Sequence, residues 1–326
     1  MSRVAGVDPG TVSFDVCVLD DGDVILERSF STEAVGADPA PLVETLLEHG
    51  PFDLVLGPAG YGLPLLPADQ VGDRELALMV LVRADEPEDR VGVVGMRTII
   101  RALIAAELPL VFGPGAIHLP TVPAYRKWNR IDLGTADKVA SAALCIADQA
   151  RRLGIDFADT SFIMLELGGA FTAALAVDGG QIVDGIGGSA GPIGSRACGA
   201  LDAEVAYLLG GALSKRTVFS GGASGDWLAL EEAAAKAALA LTVSVPAPRE
   251  ILVTGRNARA ELGTRLAHVA PVRMVAKAAA HGAAVLADGL AGGRYAALVE
   301  RLGVREASGT ALDHLRLHGA DRIKLR

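Results

Sequence analysis

Two segments of this chain, residues 3–31 and residues 161–186, are written to one pattern. Each has an apolar run ending in an acid (Asp8, Glu166), followed by a glycine-containing turn (Pro9-Gly10-Thr11, Gly168-Gly169). An alternating apolar run, a tight turn and a third strand complete the unit, the tight turns being Asp20-Asp21-Gly22-Asp23 and Asp178-Gly179-Gly180. Asp-Gly between alternating apolar runs is a hairpin signal. A repeat at this distance predicts two duplicated domains facing each other, each offering an acid-tipped glycine turn to a shared cleft. The 326 residues suffice for about two domains.

The chemistry of those turns points to phosphate. Glycine lets the backbone approach an anion closely and aim successive N–H groups at it. A carboxylate beside phosphate implies a cation between them, and Mg²⁺ prefers one or two carboxylates with water and phosphate oxygens. The expected ligands are ATP, held between the lobes, and Mg²⁺, held by Asp8 and Glu166. Two ordinary hairpins with solvated acids would use the same residue types; the duplication favours the nucleotide.

Composition narrows the classes. The formal net charge of −9 disfavours nonspecific nucleic-acid binding. The largest basic cluster, Arg126-Lys127-Trp128-Asn129-Arg130, suits one anion rather than a duplex. No run of eighteen apolar residues is present, so no membrane span is expected, and the strand-like opening VAGVDPG does not read as a signal peptide. Cys17, Cys145 and Cys198 form neither CxxC pairs nor a disulfide framework, which reads as a reduced, cytoplasmic protein with buried thiols. HExxH and the P-loop pattern are missing, so an ATP site must be of another design.

Between the repeats, strands alternate with helices, the pattern of α/β units with ligand sites at strand C-termini. Helices are expected over 41–49, 92–107, 136–153, 200–209, 226–241, 257–268, 276–290 and 294–302. Strands are expected over 52–56, 109–112, 217–220 and 250–254. The Pro-rich, basic stretch 119–135 reads as the crossing between lobes, and the last fifteen or so residues read as loosely attached.

Four glycine-rich turns follow apolar runs in the second half: Gly168-Gly169, 187–191, Ser220-Gly221-Gly222 and Gly255-Arg256-Asn257. Gly168 and Gly169 are assigned to phosphates, and Gly221, Gly222 and Gly255 to walls around adenosine. Arg256 could stack on the base, pair with phosphate or simply be solvated. In the run Asn129–Lys138, Thr135 is placed to cap the next helix. Asp137 then either compensates the helix dipole or orients or deprotonates an acceptor, with Lys138 and Arg130 balancing phosphate charge. His118, after a glycine loop, is either a satisfied loop residue or a substrate ligand.

At Asp8-Pro9-Gly10-Thr11, Glu166-Leu167-Gly168-Gly169 and Thr254-Gly255 the chain resembles the superfamily of acetate kinases, sugar kinases, heat-shock ATPases and actin. These positions match its phosphate-1, phosphate-2 and adenosine motifs. The strings GVDPGTVSFDVCVLDDG, GPAGYGLPL, AIHLPTVPAYRKWNRIDLGTADK and LELGGAFTAALAVDGGQIVDGIGGSAGPIG are similar to a family of uncharacterised proteins predicted to be butyrate kinases. The resemblance implies two actin-like ATPase (ribonuclease H-like) domains, over 1–130 and 131–326, with a nucleotide cleft between them. It further implies transfer of phosphate from Mg²⁺-ATP to a small anionic metabolite, nominally butyrate, with a homodimer left open. The histidine-glycine-glycine motif of acetate kinases is absent, and Glu166 stands where the superfamily often has Asp. Gly134-Thr135-Ala136-Asp137-Lys138 resembles the GxDR element of type III pantothenate kinases, whose acid is a base. A kinase of an alcohol or pantothenate-like acceptor, or an ATP-gated regulatory module, are the alternatives.

Overall fold

A computed structural model describes residues 2–86, 95–276 and 278–326. Strands β1 (Arg3–Pro9), β2 (Ser13–Asp20), β3 (Asp23–Ser31), β4 (Leu54–Gly57), β5 (Leu66–Pro67) and β6 (Leu110–Phe112) form one sheet. Its order is β3-β2-β1-β4-β6-β5. A second sheet contains β7 (Ser161–Leu167), β8 (Thr172–Asp178), β9 (Gln181–Ile186), β10 (Glu250–Thr254) and β11 (Val272–Met274), in the order β11-β10-β7-β8-β9. β1 runs antiparallel to β2 and parallel to β4, and β7 stands in the same relation to β8 and β10.

The duplication reaches into detail. The hairpin register shifts at Val18/Leu19 in the first sheet and at Ala176/Val177 in the second, just before each turn. Such a bulge strengthens the local twist. Both turns use left-handed backbone, with φ of 49° and 79° at Asp21 and Gly22 and 57° and 70° at Gly179 and Gly180. Two-residue hairpins whose twist matches the strands need that conformation.

Alternation along the strands decides the layers. Ala5, Val7, Phe14, Val16, Val18 and Val55 face an outer core that includes Leu42, Leu46, Ile99, Ile100 and Leu103. Val4, Cys17, Leu19 and Leu56 face inward, and so do Phe162, Met164, Leu175, Val177 and Leu252 of the second sheet. One continuous core therefore lies between the sheets, filled by helices Ala136–Leu153, Ala279–Leu290 and Ala296–Leu302. Beyond the second sheet, Ile163, Leu165, Ile251 and Val253 pack against helices Trp227–Leu241 and Glu261–Leu266.

The helix Ala279–Leu290 packs on β1, β2 and β4 and on helix Ala136–Leu153. Glycine makes this approach feasible. A Cβ at Gly6 would lie 2.2 Å from the Ala284 backbone nitrogen, and one at Gly282 would lie 1.9 Å from the Ala140 carbonyl oxygen.

Most expected elements occur with small shifts, and helix Ala136–Leu153 occurs with the predicted bounds. The helix expected over 92–107 is observed as Met96–Ala105; positions 92–94 lie outside the described residues, as does position 277 of the helix expected over 276–290. The strand expected over 217–220 is instead a short helix, Lys215–Val218. A four-residue apolar run does not identify its period, and here Ser214 N–H donates to Thr217 Oγ1 at 3.2 Å to start a helix. The tail is not loose. The backbone N–H of Arg326 donates to Val82 O at 3.1 Å, that of Asn129 donates to His314 O at 2.9 Å, and Arg316 lies 3.5 Å above the Trp128 ring. No helix among the described residues is long and apolar enough to cross a membrane.

Candidate active site

The C-terminal ends of β1, β7 and β10 and the N-terminus of helix Ala136–Leu153 meet at a cleft of about 270 Å³. Strand C-termini in open α/β sheets are where ligands bind, because diverging connections leave a crevice there. Asp8, Gly10, Thr11, Asp137, Lys138, Glu166, Gly168, Gly169, Gly255 and Arg256 all line this cleft.

Its centre is acidic. Lys138 Nζ donates to Glu166 Oε1 at 2.7 Å and also to Asp137 Oδ2. Ser141 Oγ donates to the other Glu166 oxygen at 3.0 Å. Thr135 Oγ1 donates to Asp137 Oδ1. Thr135 does occupy the helix N-cap, but its hydroxyl turns to this carboxylate rather than capping a backbone N–H. Burial opposes charge on both members of the pair. Even so, Asp137 and Glu166 hold Lys138 above its usual range, and Lys138 with the Thr135 hydroxyl holds Asp137 below its own.

Asp8 behaves differently. Burial, then Asp137 and Glu166, push its carboxyl well above the ordinary carboxylate range, against an opposing pull from Lys138. Its Oδ1 is buried and has no hydrogen-bond partner. Among the described residues two carboxylates thus hold the Lys138 ammonium, and a third, Asp8, lies within its electrostatic reach with one oxygen unsatisfied. That donor set fits a hard divalent cation, which takes carboxylate oxygen readily. Both Glu166 oxygens are already engaged, so Asp8 is the carboxylate with an open ligand position.

The glycine turns are held by specific contacts. Thr32 Oγ1 donates to Gly10 O at 2.6 Å. A Cβ at Gly169 would meet Thr11 Oγ1 at 3.0 Å, so the two turns approach across the cleft. Arg196 spans both, donating to Gly169 O at 3.2 Å and to Thr11 O at 3.4 Å. Gly255, with φ +99°, would carry a Cβ only 2.4 Å from Leu167 O, and Asn257 Nδ2 donates to Gly168 O at 2.6 Å. The β10 turn therefore buttresses the Gly168-Gly169 turn. Arg256 is exposed and reaches across to Ser13 Oγ at 3.4 Å.

Other candidates lie elsewhere. Gly221 and Gly222 do not line the cleft; a Cβ at Gly222 would strike the Arg196 backbone at 2.4 Å, so these glycines support the segment that carries Arg196. Arg130 is exposed and away from the cleft. The rest of its basic cluster is spent on the fold. Arg126 donates to Val183 O at 2.7 Å and pairs with Asp184 at 3.5 Å, and Lys127 donates to Leu119 O at 2.8 Å. His118 is buried outside the cleft with Nδ1 3.2 Å from Gly115 O, and burial lowers its pKa to about 4.

Sequence reasoning missed a second polar group in the cleft: Tyr61, Asp132, Ser189 and Lys215. Asp132 accepts from Gly134 N at 2.9 Å and from the backbone and hydroxyl of Ser189, both at 3.0 Å. Lys215 Nζ lies 3.4 Å from Tyr61 Oη and 4.7 Å from the centre of its ring. Burial lowers the Lys215 pKa to about 8, against the pull of Asp132 and Glu86.

Comparison with solved structures places this architecture. A propionate kinase from Francisella tularensis subsp. tularensis SCHU S4 superposes with a TM-score of 0.58 at 13% identity, covering 87% of this chain and 98% of that one. Porphyromonas gingivalis acetate kinase gives 0.58 at 13% identity, covering 88% and 99%. Acetate kinase from Entamoeba histolytica gives 0.54 at 13% identity, covering 78% and 82%. At such identity the likeness shows the fold, that of two actin-like ATPase domains. No curated protein sequence matches significantly. A family model does match, over residues 6–317, and the chain belongs to that family, described as protein of unknown function (DUF1464).

Proposed function

We propose that this protein is an ATP-dependent kinase of a small anionic acceptor, nominally butyrate, with the phosphoryl group transferred in the cleft between the two lobes. The observation that carries the reading is the gathering of Asp8 with the Asp137–Lys138–Glu166 cluster in one cleft beside two glycine turns, with Asp8 Oδ1 left unsatisfied. Phosphoryl transfer needs little covalent help from a protein; it needs positioning and neutralisation of charge.

In this reading Gly10, Thr11, Gly168 and Gly169 present backbone N–H groups to the phosphates, and Gly255 and Arg256 flank the nucleoside. Mg²⁺ held through Asp8 would neutralise charge on the phosphate oxygens as the bond to the leaving oxygen breaks. Glu166 and Asp137 fix the Lys138 ammonium, which stabilises the equatorial oxygens of the phosphoryl group in flight. Asp137 is ion-paired and held below the usual carboxylate range, which makes it a poor proton acceptor. An acceptor that is already ionised needs no base, so this pairing favours a carboxylate over an alcohol. Transfer then forms an acyl phosphate and ADP with no proton to remove.

The test is a transfer assay with purified protein, Mg²⁺ and γ-labelled ATP against short carboxylates, alcohols and water. Hydroxylamine-sensitive label on a carboxylate supports the proposal. Label transferred to alcohols alone would replace the acceptor class.

A further inference from the structure

Lys215 has no role in the chemistry above, yet it lines the same cleft and is 8% exposed. Its position is built with care. Glu86, itself buried, accepts the backbone N–H of Lys215 at 2.5 Å, and Arg83 donates to the neighbouring Leu213 carbonyl at 3.2 Å. The segment from the second lobe is thereby clasped to the first. Among the described residues the ammonium that results touches only neutral oxygens, Tyr61 Oη and Leu81 O, each at 3.4 Å. Among the described residues no carboxylate lies within 4.0 Å of it, since Glu86 is spent on the backbone. A buried charge left without a close counter-ion is costly unless a ligand supplies one.

The two ammonium groups of the cleft also answer to different acids. Lys138 is governed by Asp137 and Glu166, whereas Lys215 feels Asp132 and Glu86. The first lobe contributes to the same cleft an apolar wall that includes Met79, Val80, Met96 and Ile99. The cleft therefore holds two ammonium groups governed by different acids together with a stretch of hydrocarbon.

We infer that Lys215 binds an anionic terminus of the acceptor distinct from the oxygen that receives the phosphoryl group. The acceptor is then a two-ended molecule, a short dicarboxylate or a close relative, with its alkyl spacer against the Met79–Ile99 wall. This narrows the anionic acceptor proposed above, whose nominal member is butyrate, to one that carries a second negative charge. This rests on the kinase reading for its geometry, but the binding it predicts does not depend on turnover.

Calorimetry with C4–C6 dicarboxylates and their length-matched monocarboxylates, in the presence of Mg²⁺ and a non-hydrolysable ATP analogue, tests the idea. In the unaltered protein one dicarboxylate should bind at least roughly tenfold more tightly than its monocarboxylate partner, the scale of a buried charge pair. Lys215→Met should remove that preference and Lys215→Arg should restore most of it, with analogue binding reporting that each variant is folded. Equal binding of both ligand classes by the unaltered protein, no dicarboxylate binding at all, or a preference that survives in Lys215→Met would each overturn the inference. If the preference holds while no acceptor is phosphorylated, the kinase reading fails and the anion subsite stands.

Discussion

Lys138 Nζ lies 2.7 Å from Glu166 Oε1, tying the first turn of the helix that follows the first lobe to the strand tip that opens the second. In the proposed reaction a charge fixed by two carboxylates would not reorient as the phosphoryl group moves, which is what makes such a donor effective. Lys138→Met should lower kcat by roughly 10²–10³-fold, the scale of one lost preorganised donor. Its effect on nucleotide affinity should be much smaller. Steady-state kinetics checks this, and a variant whose kcat is intact would remove Lys138 from the chemistry.

Asp8→Asn should abolish the dependence of nucleotide binding on divalent cation. Loss of the open Asp8 carboxylate oxygen should weaken Mg²⁺-dependent ATP affinity by at least about tenfold, read by calorimetry with and without Mg²⁺. Unchanged affinity would locate the ion elsewhere.

Asp137→Asn separates positioning from proton transfer. If Asp137 only orients Lys138, kcat falls by roughly 10–100-fold, the worth of one hydrogen bond to a charged group, and the pH–rate profile keeps its shape. Loss of one limb of that profile would instead make Asp137 a general base.

His118 predicts a stability effect with a definite sign. Burial lowers its pKa from 6.5 to about 4, so the unfolded chain takes up a proton first as pH falls. The contribution is fully present above 6.5 and is lost between 6.5 and about 4, to a total of about 3 kcal/mol. Urea midpoints followed across that window should fall more steeply for the parent than for His118→Gln. Parallel curves would show that another group governs the acid limb.

The glycine-turn end of the cleft was legible because it is local. Asp8, Gly10 and Thr11 sit within one turn, as do Glu166, Gly168 and Gly169, and duplication distinguished them from chance. Asp137 and Lys138 were legible for the same reason, at the start of a helix with a clear period. The Lys215 end was not, because it is assembled from afar: Tyr61 and Lys215 are 154 positions apart, and Asp132 and Ser189 are 57 apart. Arg130 misled because charge density in a loop does not say where the charge is spent. Its neighbours Arg126 and Lys127 serve backbone carbonyls of the fold.

The helix Ala279–Leu290 lies within the last fifth of the chain, yet it covers the inner face of the sheet that the first residues form. During synthesis Val4, Cys17, Leu19 and Leu56 therefore wait with one side open until almost the whole chain has left the ribosome. The amino-terminal lobe cannot finish folding ahead of the carboxy-terminal one, as successive domains of a chain commonly do. A ribosome stalled before residue 279 would carry a half-clad sheet, a natural client for a chaperone.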